Sequence, residues 1–191
     1  MKSFYNYLEK TMHDKRDSPE WRNMLVAWRR SHAVVRTAKP FRLDRARQVG
    51  YKAKTGFIVA RVRVIRGGHK KTRPKAARRS RRMTIRKNLK MNYLWIAEQR
   101  AQRRFPNMEI LNSYNIAQDG RYYFSEVILV DPSRPEIAKD KNINWMTSNK
   151  HTGRVFRGLT SAGRKSRGLR NKGNRAIKVR PSLGAWGHKG K

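Results

Sequence analysis

Gly158-Leu159-Thr160-Ser161-Ala162-Gly163-Arg164-Lys165-Ser166 gathers the residue types of a phosphate-cradling loop. Such a loop needs Gly, four residues, Gly, then Lys and Ser or Thr directly, so that backbone N–H groups and the Lys ammonium converge on the phosphates. Here Arg164 is inserted, which turns Lys165 away from the required place. No apolar strand precedes the run and no amphipathic helix follows it, which argues against nucleotide hydrolysis. The histidines, His13, His32, His69, His151 and His188, show neither the i, i+3 nor the i, i+4 spacing of a metal site. The acidic residues are dispersed, so a carboxylate cluster holding Mg²⁺ for a nuclease is not expected. There is no cysteine, which removes thiolate catalysis, disulfides and Cys-based zinc sites together. The expectation is a protein that is not an enzyme and takes no metal and no cofactor.

The chemistry that remains is charge. The chain has 48 Lys and Arg against 12 Asp and Glu in 191 residues, a formal net charge of +36. Self-repulsion on that scale opposes compaction, and a polyanion is the simplest remedy. Nucleic acid is the usual one. An anionic membrane is the weaker alternative, and no apolar run approaches the roughly 20 residues that span a bilayer. No signal-peptide apolar region follows Met1, and the lack of disulfides fits the cytosol.

The charge is unevenly spread. Residues 45–97 hold 18 basic residues and no acidic one, and residues 141–191 hold 14 and none. Residues 98–140 hold 6 basic and 7 acidic residues, like an ordinary globular surface. The expected RNA contacts therefore lie in the two acid-free blocks. The first supplies Arg45, Arg47, Tyr51, Lys52 and Lys54, then Lys70, Lys71, Arg73 and Lys75, then Arg78, Arg79, Arg81, Arg82 and Arg86. The second supplies Arg154, Arg157, Arg164, Lys165, Arg167, Arg170, Lys172 and Arg175. Cations that neutralise phosphates release condensed counterions, and Arg adds a planar fork that can also stack on bases. Tyr51, Phe156 and Trp186 can stack on unpaired bases; for Tyr51 core packing is an equal alternative, and for Trp186 the expected partner is RNA or a neighbouring protein. Each cation can instead be simply solvated, and Arg61 and Arg63 can pair with Glu109 or Glu126 across a sheet.

The elements that must position these residues are partly legible. Ser18 followed by Pro19 starts a helix whose Trp21, Met24, Leu25 and Trp28 share one face; packing on the rest of the protein is expected, with base stacking the alternative. Leu43 to Val49 reads as a short helix ended by Gly50. Gly56 to Ile65 reads as a strand with Ile58, Ala60, Val62 and Val64 on one face and Arg61 and Arg63 on the other. Leu89, Tyr93, Ile96, Ala97, Ala101 and Phe105 follow a helical period that ends near Pro106. Met108 to Tyr114 and Tyr122 to Val130 read as strands joined at Asp119-Gly120, a hairpin signal, and Pro135 to Asp140 as a helical turn. The expected fold class is α+β: a small, mostly antiparallel sheet packed with helices, plus long basic non-globular extensions. The expected parts are a helical segment over 1–50, a core over 51–140 with a basic excursion at 66–90, and a Gly-rich basic extension over 141–191. That extension has few apolar residues to offset its ordering entropy and is expected to be extended or disordered when free.

Several runs carry a resemblance. Gly50-Tyr51-Lys52-Ala53-Lys54-Thr55-Gly56-Phe57 with Arg61-Val62-Arg63-Val64, Leu111-Asn112-Ser113-Tyr114 with Glu126-Val127-Ile128-Leu129-Val130-Asp131-Pro132, and Arg157 through Leu169 occur in one order. Arg42-Leu43-Asp44-Arg45-Ala46-Arg47 precedes them. Together they resemble ribosomal protein fifteen of the eukaryotic and archaeal large subunit, and the excursion and the Arg180-Pro181-Ser182-Leu183 ending look archaeal. Asn115 departs from the aromatic residue that pattern would carry, and Met146 after Trp145 is a second departure. The resemblance implies a structural large-subunit protein with an α/β core and basic extensions between rRNA helices. The implied partners are large-subunit rRNA and neighbouring ribosomal proteins in the cytoplasmic ribosome; contact with such proteins is expected through Trp145 or the N-terminal helices.

Overall fold

Nine residues from Phe57 to Ile65 alternate apolar and basic side chains in β2, and nine from Tyr122 to Val130 are almost uniformly apolar in β4. The difference reflects position. In the computed structural model, which describes residues 3–68, 76–77, 89–177 and 179, four antiparallel strands lie in the order β1-β2-β4-β3. Strand β1 is Val34–Thr37 and β3 is Glu109–Gln118. β4 is central, so both of its faces are covered and every residue from Phe124 to Val130 is buried. The sheet is wholly antiparallel, within the expected α+β class.

Helices cover both faces. Helix α1 is Phe4–Asp14, α2 is Pro19–Arg30 and α3 is Leu43–Gln48. Ser18 caps α2 by accepting the Trp21 N–H at 3.2 Å, with Pro19 in its first turn. Its apolar stripe packs on Phe124, Ile128, Tyr114 and Ile116 of the sheet. Trp28 sits 5.4 Å from the Phe124 ring and 5.3 Å from Phe41 and is core, while Trp21 is half-buried with its ring 5.8 Å from Phe41. Helix α3 ends where Gly50 takes φ +102°, the left-handed region.

The opposite face carries α4, Tyr93–Arg104. Its Ala97 and Ala101 are fully buried against Ala60, Val62, Val64, Val127 and Leu129, the small side chains letting the helix approach closely. The helical period runs back to Leu89, but the helix begins only at Tyr93, because Asn92 is its N-cap and accepts the Trp95 N–H at 2.8 Å. Strand β3 runs four residues past Tyr114, through register irregularities at Ile110/Asn112 and Asn115/Ala117 that the alternation hides. Asn115 sits at the second and accepts the Ser125 hydroxyl at 2.8 Å, a contact an aromatic side chain would not make. The hairpin is held by the Asp119 carboxylate, which accepts the N–H groups of Arg121 and Tyr122 at 2.7 and 2.6 Å.

The chain beyond residue 140 is more ordered than its composition suggests. Helix α5, Pro135–Ala138, is followed by 3₁₀ turns at Asn144–Thr147 and Asn149–His151, then α6, Ser161–Ser166, and α7, Asn174–Ile177. Ile143 and Met146 join Val130 and Ile137 in a third apolar cluster, and Val155 is buried beside α4. The expectation of an extended segment is corrected over 141–167. A few apolar residues suffice because polar groups fasten the segment as well: the Trp95 indole donates to the Val155 carbonyl at 2.7 Å, and Asn92 donates to Ala162 and to Ser166.

Candidate nucleic-acid interface

The placement of acids organises the surface. Of the twelve acidic residues, Asp44, Glu98, Glu109 and Glu126 are buried, and Asp119, Asp131 and Asp140 are half-buried. The buried ones bind the protein to itself. Glu98 on α4 accepts the Ser113 hydroxyl at 2.6 Å and the Thr160 hydroxyl at 2.5 Å, tying helix, strand and C-terminal segment together. Burial pushes its carboxyl above the ordinary range, against the pull of those hydroxyls and of Arg154. Glu126 on β4 accepts the Tyr114 hydroxyl at 2.5 Å and the Phe41 N–H at 2.8 Å. Burial raises it too, and burial beside that carboxylate raises the Tyr114 phenol. Asp44 is paired with Arg42 at 2.5 Å.

Several expected RNA contacts have protein partners. Lys52 and Lys54 both lie 2.6 Å from one oxygen of Asp140, and their hydrogen bonds hold that carboxyl well below the usual range. Tyr51 is half-buried, edge-on to Phe57 at 5.9 Å, in the cluster under α2. Arg154 turns inward: it donates to the Ile110 and Leu111 carbonyls at 2.9 and 3.2 Å and lies over the Trp145 ring at 4.9 Å. Arg157 donates to the Thr152 and Lys150 carbonyls, and Arg167 to those of Arg157 and Gly158. Arg45 pairs with Glu9 at 3.3 Å, and Arg47 donates to the Tyr5 hydroxyl at 2.7 Å.

The rest of the second block faces outward. Arg164, Lys165, Arg170, Lys172 and Arg175 are exposed, and their side chains form no hydrogen bond or ion pair with another described residue. They lie on and just beyond α6, which Thr160 caps by accepting the Gly163 N–H. The two glycines of the phosphate-loop-like run serve packing here: a Cβ on Gly163 would lie 2.7 Å from the Gly158 Cα. Ser166 accepts the Asn92 N–H at 2.8 Å, so this run is a strut between α4 and α6. Lys70, Lys71, Arg73, Lys75, Arg78, Arg79, Arg81, Arg82, Arg86 and Trp186 lie outside the described residues.

Sequence reasoning missed a set of arginine–aromatic contacts. Arg61 does face Glu126 in register across β2 and β4, but its guanidinium lies over Trp28 at 4.6 Å and donates to Ser31. Arg63 lies over Tyr122 at 5.1 Å and donates to the Arg29 carbonyl; Arg66 lies over Tyr123 at 5.2 Å. Arg103 lies over the exposed Phe156 ring at 5.9 Å. The only available signal was the basic alternation in β2, which fixes a face but not an aromatic partner on another strand.

Among the described residues no helix is long and apolar enough to cross a membrane. Residues 3–185 of the chain match the sequence model of a protein family described as Ribosomal L15.

Proposed function

Because the chain belongs to that ribosomal family, a structural and non-enzymatic kind of large-subunit component, we propose that it binds and stabilises large-subunit rRNA through its Arg- and Lys-rich extensions. The observation that carries this reading is the separation of charge. Carboxylates in the sheet core are turned inward or paired, while Arg164, Lys165, Arg170, Lys172 and Arg175 project from a stretch with no acid at all. An ordinary soluble surface interleaves both signs. A surface stripped of carboxylates is suited to closely packed phosphates. In this reading the core of 51–140 is a scaffold, and the excursion of 66–90 and the segment of 141–191 reach into RNA.

The test is the salt dependence of binding to a large-subunit rRNA fragment. Replacing Arg164, Lys165, Arg170 and Lys172 with Gln should lower the slope of log affinity against log salt by roughly 3, at about 0.7–0.9 per phosphate contact. Replacing Arg78, Arg79, Arg81 and Arg82 with Gln should do the same. The first variant should keep the circular dichroism of the native chain, since its four side chains form no hydrogen bond with a described residue, and the second should keep it because that charge run has almost nothing apolar to bury. A slope unchanged in both would remove phosphate contact from these residues.

A further inference from the structure

Five arginines from separate parts of the chain meet at one end of the sheet. Arg29 lies in the last turn of α2, Arg63 in β2, Arg66 just past it, Arg100 on α4 and Arg121 in the turn before β4. The contacts between them are direct. The Arg63 guanidinium donates to the Arg29 carbonyl, and Arg100 donates to the Arg63 carbonyl at 3.2 Å. The Arg66 N–H donates to the Arg121 carbonyl at 2.8 Å, which carries the β2–β4 ladder one step past Ile65 and Tyr122. Two like charges at one cross-strand position disfavour each other. One carboxylate is at hand: Asp119 pairs with Arg29 at 3.3 Å, and its other oxygen takes the N–H groups of Arg121 and Tyr122. All twelve acidic residues of the chain lie among the described ones, and no other forms an ion pair with these five arginines. Five guanidiniums against one carboxylate leave a surplus of four positive charges that the chain's own side chains do not neutralise.

Tyrosine rings fix where these guanidiniums lie. Arg63 is over Tyr122 at 5.1 Å and Arg66 over Tyr123 at 5.2 Å, while Arg121 approaches Tyr122 at 5.9 Å. Tyr123 stacks on Tyr93 of α4 at 4.5 Å with the planes 28° apart. The Tyr93 hydroxyl accepts the Gly67 N–H at 3.0 Å and donates to the Gly67 carbonyl at 3.1 Å, pinning the chain where it leaves the sheet. The three rings are half-buried, whereas Arg66 and Arg121 are exposed. A guanidinium held against a ring keeps its N–H edge available to fork onto a phosphate. Arg66 uses one nitrogen on the Asp119 carbonyl at 2.6 Å, and the Arg121 side chain forms no hydrogen bond with another described residue.

We propose that this end of the sheet is a phosphate clamp for a strand of rRNA backbone, with Arg66 and Arg121 as the donors that meet phosphate and Tyr122 and Tyr123 as the rings that orient them. The uncompensated charge calls for an anion, and closely spaced phosphates supply several at once. The rings already hold guanidiniums and one another, so the site takes the backbone rather than a stacked base. Contacts of this kind fix the register of a nucleic acid on a protein without reading its sequence. Arg66 is also the first residue of the basic excursion, so RNA held by the excursion would continue across the clamp. The inference rests on the rRNA-binding reading above and extends it to the core, which that reading leaves as scaffold.

The experiment measures the affinity of the full-length chain for a large-subunit rRNA fragment as salt is raised. Arg66→Gln together with Arg121→Gln should lower the slope of log affinity against log salt by roughly 1.5, at about 0.7–0.9 per phosphate contact. Arg66→Lys together with Arg121→Lys should keep the native slope, because both charges remain, yet bind several-fold more weakly, because the planar fork is gone. A second measurement needs neither pair and uses the lack of cysteine in the chain. Gly120→Cys, where a Cβ meets nothing within 4 Å, provides a single thiol beside Arg121 for an iron–EDTA probe. Hydroxyl radicals from that probe should cut the bound fragment over one short stretch. A native slope in the Gln pair, native affinity in the Lys pair, or a fragment left uncut would overturn the clamp while leaving binding through the extensions intact. A native chain that does not bind the fragment would instead defeat the reading on which the clamp rests.

Discussion

Glu98 shows how one buried side chain can organise a charged protein. Its two oxygens take hydroxyls from Ser113 on β3 and Thr160 of the C-terminal segment, and Thr160 in turn caps α6. Burial raises its carboxyl pKa in the folded chain. A folded-state pKa above the unfolded value, about 4.3 for a free glutamate, means that the folded chain holds the proton more tightly. This group therefore favours folding at acid pH and contributes least above its folded pKa. Gln at position 98 cannot titrate. Urea midpoints of Glu98→Gln and the native protein should therefore diverge in the variant's favour as pH rises from about 5 to 7. A difference that stays constant across that range would mean that burial of the charge has no energetic weight there. None of this is legible in the sequence: Glu98 stands in Ile96-Ala97-Glu98-Gln99-Arg100, where a surface glutamate reads the same as an interior one. Glu126 gave a better signal, since Glu126-Val127-Ile128-Leu129-Val130 sets a lone acid in an apolar run. Lys52 and Lys54 lie far in sequence from Asp140, so their shared carboxylate needs the fold to be seen.

Elements with strong local signals were readable, and those that depend on distant partners were not. Strands β2 and β4 and the cap of α2 follow from alternation, apolar runs and Ser-Pro. Strand β1 was missed, since Val34–Thr37 is four residues long, sits at the sheet edge and has no alternation of its own; it exists because β2 offers it a ladder from Val59 to Val62. The segment from 141 to 167 was read as extended because its apolar residues are few. Contact with α4 supplies what local composition lacks, at Gly158 beside the Trp95 ring and at the Val155 carbonyl, while Gly163 packs on the backbone of Gly158. Gly163→Ala should cost about 1–3 kcal/mol, as expected for overpacking, because its Cβ would meet backbone 2.7 Å away. Thermal unfolding would measure this. Gly173→Ala is not equivalent, since Gly173 has open space but φ +58°, and any loss there would report backbone strain alone. If Gly163→Ala unfolds at the native temperature, the close approach of α6 to the preceding turn is not the joint inferred here.

At the scale of the whole molecule, the chain divides its charge by task. Carboxylates inside hold the sheet, helices and C-terminal segment together, four of the five exposed carboxylates lie between residues 9 and 20, and residues 141–191 carry no acid. Composition alone announced a polyanion partner, and the blocks of charge announced where along the chain it would be met. What composition left hidden was which cations are already engaged: Lys52, Lys54 and Arg154 are held by protein groups, whereas Arg164, Lys165, Arg170, Lys172 and Arg175 project outward. The most direct measurement is ultraviolet cross-linking of native large subunits, with nucleotide adducts on this chain mapped by mass spectrometry. Adducts should concentrate on peptides spanning residues 70–82 and 164–175. Adducts confined to the first 20 residues and the sheet core, with both cationic stretches unmodified, would contradict the account.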